Sequence, residues 1–147
     1  MYDALDIARY IINYCNDHNI VISNLRLQKL LYFVQAAFLM HNPNSPCFDN
    51  NIVAWSYGPV VPDVYYQFKI FGSGNIPKSS VANFNNNIIN INDRAIIDEL
   101  MNDTSDYSTS QLVRITHKQR PWRETYVPKS SNIITLESLR SYFCNGN

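Results

Sequence analysis

The densest group of side chains able to do chemistry lies between residues 114 and 123. Arg114, His117, Lys118, Arg120 and Arg123 fall close together, with Trp122 among them. An arginine beside an indole can hold a phosphate or stack on a nucleic-acid base. The same pair is enriched at the energetically dominant positions of protein interfaces. It also suits a turn whose tryptophan anchors it in the core while the cations stay in water. At the level of residue types all three readings stand. Cys15 and His18 have the spacing of half a metal site, but no second ligand pair follows at metal spacing, so no metal is expected. Cys47 or Cys144 with His117 would be needed for a thiol nucleophile and its base, and neither cysteine has a local sequence that suggests activation. Gly72-Ser73-Gly74 lacks the lysine and spacing of a phosphate loop. The carboxylates are scattered rather than paired for acid–base work. Neither an enzyme nor a cofactor is expected.

A second group is set on a helix. Leu25 to Met40 is apolar around most of its circumference, which marks a central, buried helix. Gln28, Tyr32 and Gln35 fall at i, i+4 and i+7 and form one polar stripe along it. Buried polar groups require hydrogen-bond partners. A neighbouring strand or loop would supply them, or the stripe faces an open groove or a partner.

The remaining elements position these groups. Asp3 is suited to cap a helix to Asp17 whose apolar residues recur at three-and-four spacing. Ser23 or Asn24 would cap the central helix. Residues Asn51 to Tyr57 alternate, with Val53, Trp55 and Tyr57 on one side, as in a half-buried strand. Tyr57 to Pro62 reads as a rigid turn, because Pro59 drives Gly58 away from the α region and Pro62 suits a first helical turn. A third helix would run to Phe71, ended by Gly72. The stretch 72–92 reads as irregular, with a short strand near Ile88, Ile89 and Ile91. Asn92 is the expected cap of a helix to about Met101. Ser108 and Gln111 form a capping box for a helix ending near His117. Pro121 opens a turn, and Thr135 caps a last helix with Leu136, Leu139 and Phe143 on its apolar face. The expected fold is mainly α (α+β): one domain over residues 1–147, about six helices and a small β element.

Composition bounds the function. The chain has 147 residues, 46% of them apolar, which argues against disorder. Charged residues are 16%, below the roughly 25% of ordinary globular proteins. Twelve cationic and twelve anionic side chains cancel, which argues against a charge-driven nucleic-acid binder. Asparagine is abundant at 19 residues, mainly outside the apolar runs. Three widely spaced cysteines do not suggest a disulfide framework. The start of the chain has neither the basic nor the apolar segment of a signal peptide, and no stretch has the ~20 apolar residues of a membrane helix. A cytoplasmic protein is expected.

These residues carry a family resemblance. Leu27-Gln28-Lys29-Leu30-Leu31-Tyr32 with Gln35 comes first. Phe48 follows, then Ala54-Trp55-Ser56-Tyr57-Gly58-Pro59-Val60, with Pro62, Val64 and Tyr65. Leu112-Val113, Thr116-His117 and Pro121-Trp122 come next, and Leu139 with Tyr142-Phe143 closes the set. In order and spacing the chain resembles the Panacea domain, the SocA-like antitoxin family, also called GepA in phage-associated proteins. The resemblance implies a small helical antitoxin of a toxin–antitoxin system, carried on prophages and mobile elements, that neutralises a protein toxin by direct binding. It also leaves room for a phage-encoded inhibitor of a host defence protein, or for an adaptor that delivers a toxin to a ClpXP-type protease. Some members carry an added DNA-binding domain, and none is expected here. The partner-binding surface is expected from Gln28, Lys29, Tyr32, Gln35, Trp55, Tyr57, His117, Trp122 and Arg123. Segment 73–92 could add partner-specific contacts.

Overall fold

A computed structural model describes residues 1–145. Helix α1 (Ala4–Asp17) begins where the Asp3 carboxylate accepts the Leu5 N–H, and buries Ala4, Ile7, Ala8, Ile11, Ile12 and Cys15. Helix α2 (Asn24–His41) starts at Ser23, whose hydroxyl accepts the Arg26 N–H at 3.2 Å. Its apolar residues run all round because every side of it is covered. Against it pack α1, the hairpin and four later helices.

Strands β1 (Ile52–Trp55) and β2 (Gly58–Val60) form a hairpin, with Trp55 opposite Gly58 and Ser56-Tyr57 at the tip. The expected rigid turn over Tyr57–Pro62 is therefore partly strand. Tyr57, expected on a strand face, is 67% exposed at the tip. The reason lies at Gly58. Its φ of +110° reverses the chain within two residues, a conformation that strains any other residue. The sheet order is β2-β1-β3.

Helix α3 (Pro62–Phe68) has Pro62 in its first turn, buries Val64 and Phe68, and tightens into a 3-10 turn to Phe71. Gly72, at φ +57°, ends it as expected. The stretch that follows is irregular, but the expected strand at Ile88–Ile91 is absent. Asn85 caps a 3-10 turn over Asn86–Ile88, and Asn90, two residues before the expected cap, starts α4 (Ile91–Asp103). Asparagine side chains that bond their own backbone two residues on favour turns and caps over ladders. The segment is held by the Ile76 N–H to the Ile22 carbonyl and the Ile22 N–H to Asn75 Oδ1, both at 2.8 Å. Ile76, Val81 and Ile89 are its buried anchors.

Helix α5 (Thr109–Lys118) has the full capping box of Ser108 and Gln111. The turn expected at Pro121 is a short helix, α6 (Arg120–Arg123). Two elements complete the chain. Strand β3 (Ile133–Ile134), which the sequence reading lacked, pairs with Ile52 and Val53. Helix α7 (Leu136–Cys144), capped by Thr135, seats the fully buried Leu139. The described residues thus hold seven α-helices and a three-stranded sheet, a mainly α fold. Among them, no helix is long and apolar enough to cross a membrane.

Candidate functional site

The polar stripe of α2 faces inward. Gln28, Lys29, Tyr32 and Gln35 are at most 1% exposed. Each reaches a different segment. Gln28 Oε1 accepts the Val61 N–H at 2.9 Å, while its Nε2 donates to Asn24 Oδ1. The Lys29 ammonium donates to the Pro59 carbonyl at 2.5 Å. The Tyr32 hydroxyl donates to Gln119 Oε1 at 2.7 Å. Gln35 clamps the loop before β1, donating to the Phe48 carbonyl at 2.6 Å and accepting the Cys47 N–H at 2.7 Å. These four residues were expected on a shared surface, and the structure places them in the interior instead. A helix covered on all sides has no exposed stripe, so its polar groups satisfy the backbone of the segments that cover it.

Lys29 explains the glycine of the hairpin. A Cβ on Gly58 would lie 2.9 Å from Thr116 Oγ1 and 3.1 Å from Lys29 Nζ. The lysine therefore packs into the space a side chain at 58 would occupy. Burial pushes its ammonium down to about 7, because the charged form loses its hydration.

The hairpin and α6 meet through tryptophans. Trp122 is half-buried, and its indole N–H donates to the Trp55 carbonyl at 2.8 Å. His117 stacks on one side of the indole at 4.0 Å and Tyr126 stacks on it at 4.7 Å. Desolvation lowers the His117 pKa, opposed in part by its hydrogen bond to the Ser56 backbone, and its Nε2 is buried without a partner. Trp122 is therefore an anchor between α5, α6 and β1. Arg123 is exposed, with one hydrogen bond to the Lys118 carbonyl.

Trp55 is half-buried and divides two surface hollows. Its indole N–H donates to Ser131 Oγ at 2.9 Å. On one side lies a groove of about 300 Å³ lined by Leu25, Tyr57, Tyr65 and Lys69 among others. Tyr65 meets the Trp55 ring edge-on at 5.1 Å, and Tyr66, 61% exposed, stands beyond it. On the other side lies a hollow of about 320 Å³ formed with Tyr126, Lys129, Ser130 and Ser131. Of the expected surface residues, Trp55, Tyr57, His117 and Trp122 are thus joined in one aromatic region, and Arg123 follows Trp122 in α6 with its side chain turned to the Lys118 carbonyl. The sequence reading missed Tyr66, Lys69, Tyr126 and Lys129 as neighbours. On α3 the buried pair Val64 and Phe68 leaves its tyrosines on the outer face, a signal present in the spacing.

Neither of the two buried cysteines is activated as a nucleophile. The Cys47 thiol, considered with His117, is buried and its pKa is pushed up by desolvation, the reverse of thiolate activation. Cys15 is likewise pushed up, to about 11. What the face offers is half-buried aromatic area with a lysine lining each hollow.

Comparison with known proteins agrees with the residues that carry the resemblance. The family described as antitoxin SocA-like, Panacea domain, matches residues 27–123, from the first leucine of the α2 motif to the end of α6. The chain is 32% identical over 129 residues to antitoxin SocA of Caulobacter vibrioides (strain NA1000 / CB15N), covering 82% of this chain and 68% of that protein. No solved structure matches it. The matched stretch contains the α2 stripe, the Gly58 hairpin and the Trp122 anchor, and on that match the chain belongs to the SocA-like Panacea-domain antitoxin family.

Proposed function

We propose that this protein is an antitoxin that neutralises a cognate protein toxin by binding it directly, acting in the cytoplasm and without catalysing a reaction. The match to antitoxin SocA over most of the chain carries the reading. The exposed aromatic face around Trp55 supports it, because aromatic side chains supply large contact area at low entropic cost and dominate interface energetics. Buried glutamines and Lys29 hold the hairpin that displays this face, so they serve binding by fixing the fold rather than by touching the toxin.

Co-expression with the neighbouring reading frame tests the proposal. That product should arrest growth alone, be neutralised by this protein, and co-purify with it. Tyr57→Ala and Arg123→Ala change exposed side chains, so each should shift stability by about 0.5 kcal/mol or less. Together they should abolish neutralisation while the helical circular-dichroism signal persists. A neighbour that is not toxic, or neutralisation without a complex, overturns direct binding. Toxin half-life with and without the protein then separates occlusion from delivery to a protease.

A further inference from the structure

The chain's zero net charge is a cancellation between segments. Residues 91–106 carry five carboxylates and one cation, whereas residues 107–132 carry five cations and one carboxylate. The two hollows that share Trp55 and Ser56 continue this asymmetry. Lys69 stands in one and Lys129 in the other, and no carboxylate lines either among the described residues. Among the described residues, neither lysine is engaged by a carboxylate. The Lys69 ammonium lies 5.8 Å from the Tyr66 ring centre, an aromatic rather than an acidic neighbour. Both ion pairs among the described residues, Arg9–Asp6 and Lys78–Asp17, involve other residues. Taken together, the two hollows form a trough interrupted by Trp55, with Lys69 lining one half and Lys129 the other.

We propose that this trough docks an acidic, aromatic-bearing segment of the protein partner, with an apolar side chain seated beside Trp55 and carboxylates near Lys69 and Lys129. The proposal rests on the antitoxin reading for the identity of the partner, and on charge complementarity for the chemistry of the segment. A trough that carries cations and no carboxylates favours anionic groups and repels basic ones. Each hollow is near the lower end of the volumes typical of ligand pockets, which suits single side chains rather than a large cofactor. Tyr57, which lines the first hollow, and Tyr66, edge-on to Trp55, are both exposed and add aromatic contact area. Specificity then comes from charge and contact area from the aromatics.

The test uses three fluorescent peptides on the intact protein: repeats of Glu-Phe-Glu, of Lys-Phe-Lys and of Glu-Ser-Glu. Fluorescence anisotropy should show the Glu-Phe-Glu peptide binding at least about tenfold more tightly than either control, and weakening between about 50 and 300 mM salt. The double variant Lys69→Glu, Lys129→Glu changes surface side chains only and should lose that binding by about tenfold or more. Equal binding of acidic and basic peptides, no binding of the acidic one, or an unchanged double variant overturns the proposal. So does a homodimer in sedimentation that the double variant abolishes, since a second copy would then occupy the trough. Toxin neutralisation separates the two readings. If the wild type neutralises and the double variant does so equally well, the trough fails and the antitoxin stands. If the wild type binds the acidic peptide and neutralises nothing, the antitoxin reading fails and the trough stands.

Discussion

Lys29 combines two demands that usually conflict. A fully buried ammonium is costly unless paired with a charge, yet here it donates to a backbone carbonyl, that of Pro59. Burial lowers its pKa from 10.5 to about 7 in the fold. The unfolded chain therefore binds more protons than the folded one between those values, and stability rises with pH across that window. Below about pH 7 both states are protonated and the penalty is fully present. Relative to Lys29→Met, the wild type should gain on the order of 1 kcal/mol per pH unit between about pH 7 and pH 9 in chemical denaturation. A difference between the two proteins that stays flat with pH would show that the ammonium is not desolvated in this way. The motif around Lys29 was readable in sequence, but its burial was not. A lysine beside a polar stripe looks like a surface residue until both of its flanks are covered.

At the scale of elements, α2 acts as a spine whose polar groups set the register of what surrounds it. Gln35 is the clearest case, since one amide satisfies the Cys47 N–H and the Phe48 carbonyl. Gln35→Leu keeps the volume and strands both backbone groups in the interior. We expect a loss of about 2–5 kcal/mol in thermal or urea unfolding, because each unsatisfied buried group costs about 1–3 kcal/mol. A loss no greater than that of an exposed-site control such as Tyr57→Ala would mean that water replaces the clamp. Caps and periodicity made α1, α2, α5 and α7 legible, because these signals are local. Strand β3 was illegible. Its two residues have no period of their own, and they are strand only because β1 lies beside them.

In the molecule as a whole, one apolar cluster joins residues of α1, α2, the sheet, α3, the 72–90 segment, α4, α5 and α7. Such a core should open from its edges. Backbone amides of α2 near Leu30 and Leu31 are expected to exchange with solvent slowest, through global unfolding. Amides of residues 72–90 should exchange first, because this stretch has few buried anchors and few ladder bonds. Protection in that stretch equal to α2 would place it in the same cooperative unit. The charge asymmetry also belongs to this scale. Helices α4 and α5 already carry it, acidic in the first and basic in the second, but Lys69 and Lys129 flank a shared Trp55 only once the hairpin, α3 and the 126–131 loop are brought together.

Sequence alone determined the helical periodicities, most of the caps, the fold class and the family, because each depends on residues within a few positions or on motifs in order. The tertiary structure decided which polar residues face water. Gln28, Lys29, Tyr32 and Gln35 carry the same side chains whether they meet a partner or a backbone carbonyl, and only the packing of β2, α5 and the 47–48 loop against α2 made them internal. Tyr57, by contrast, reaches the surface because the chain reverses at Gly58. Exposure is a property of what covers a residue, and the covering segments come from far along the chain.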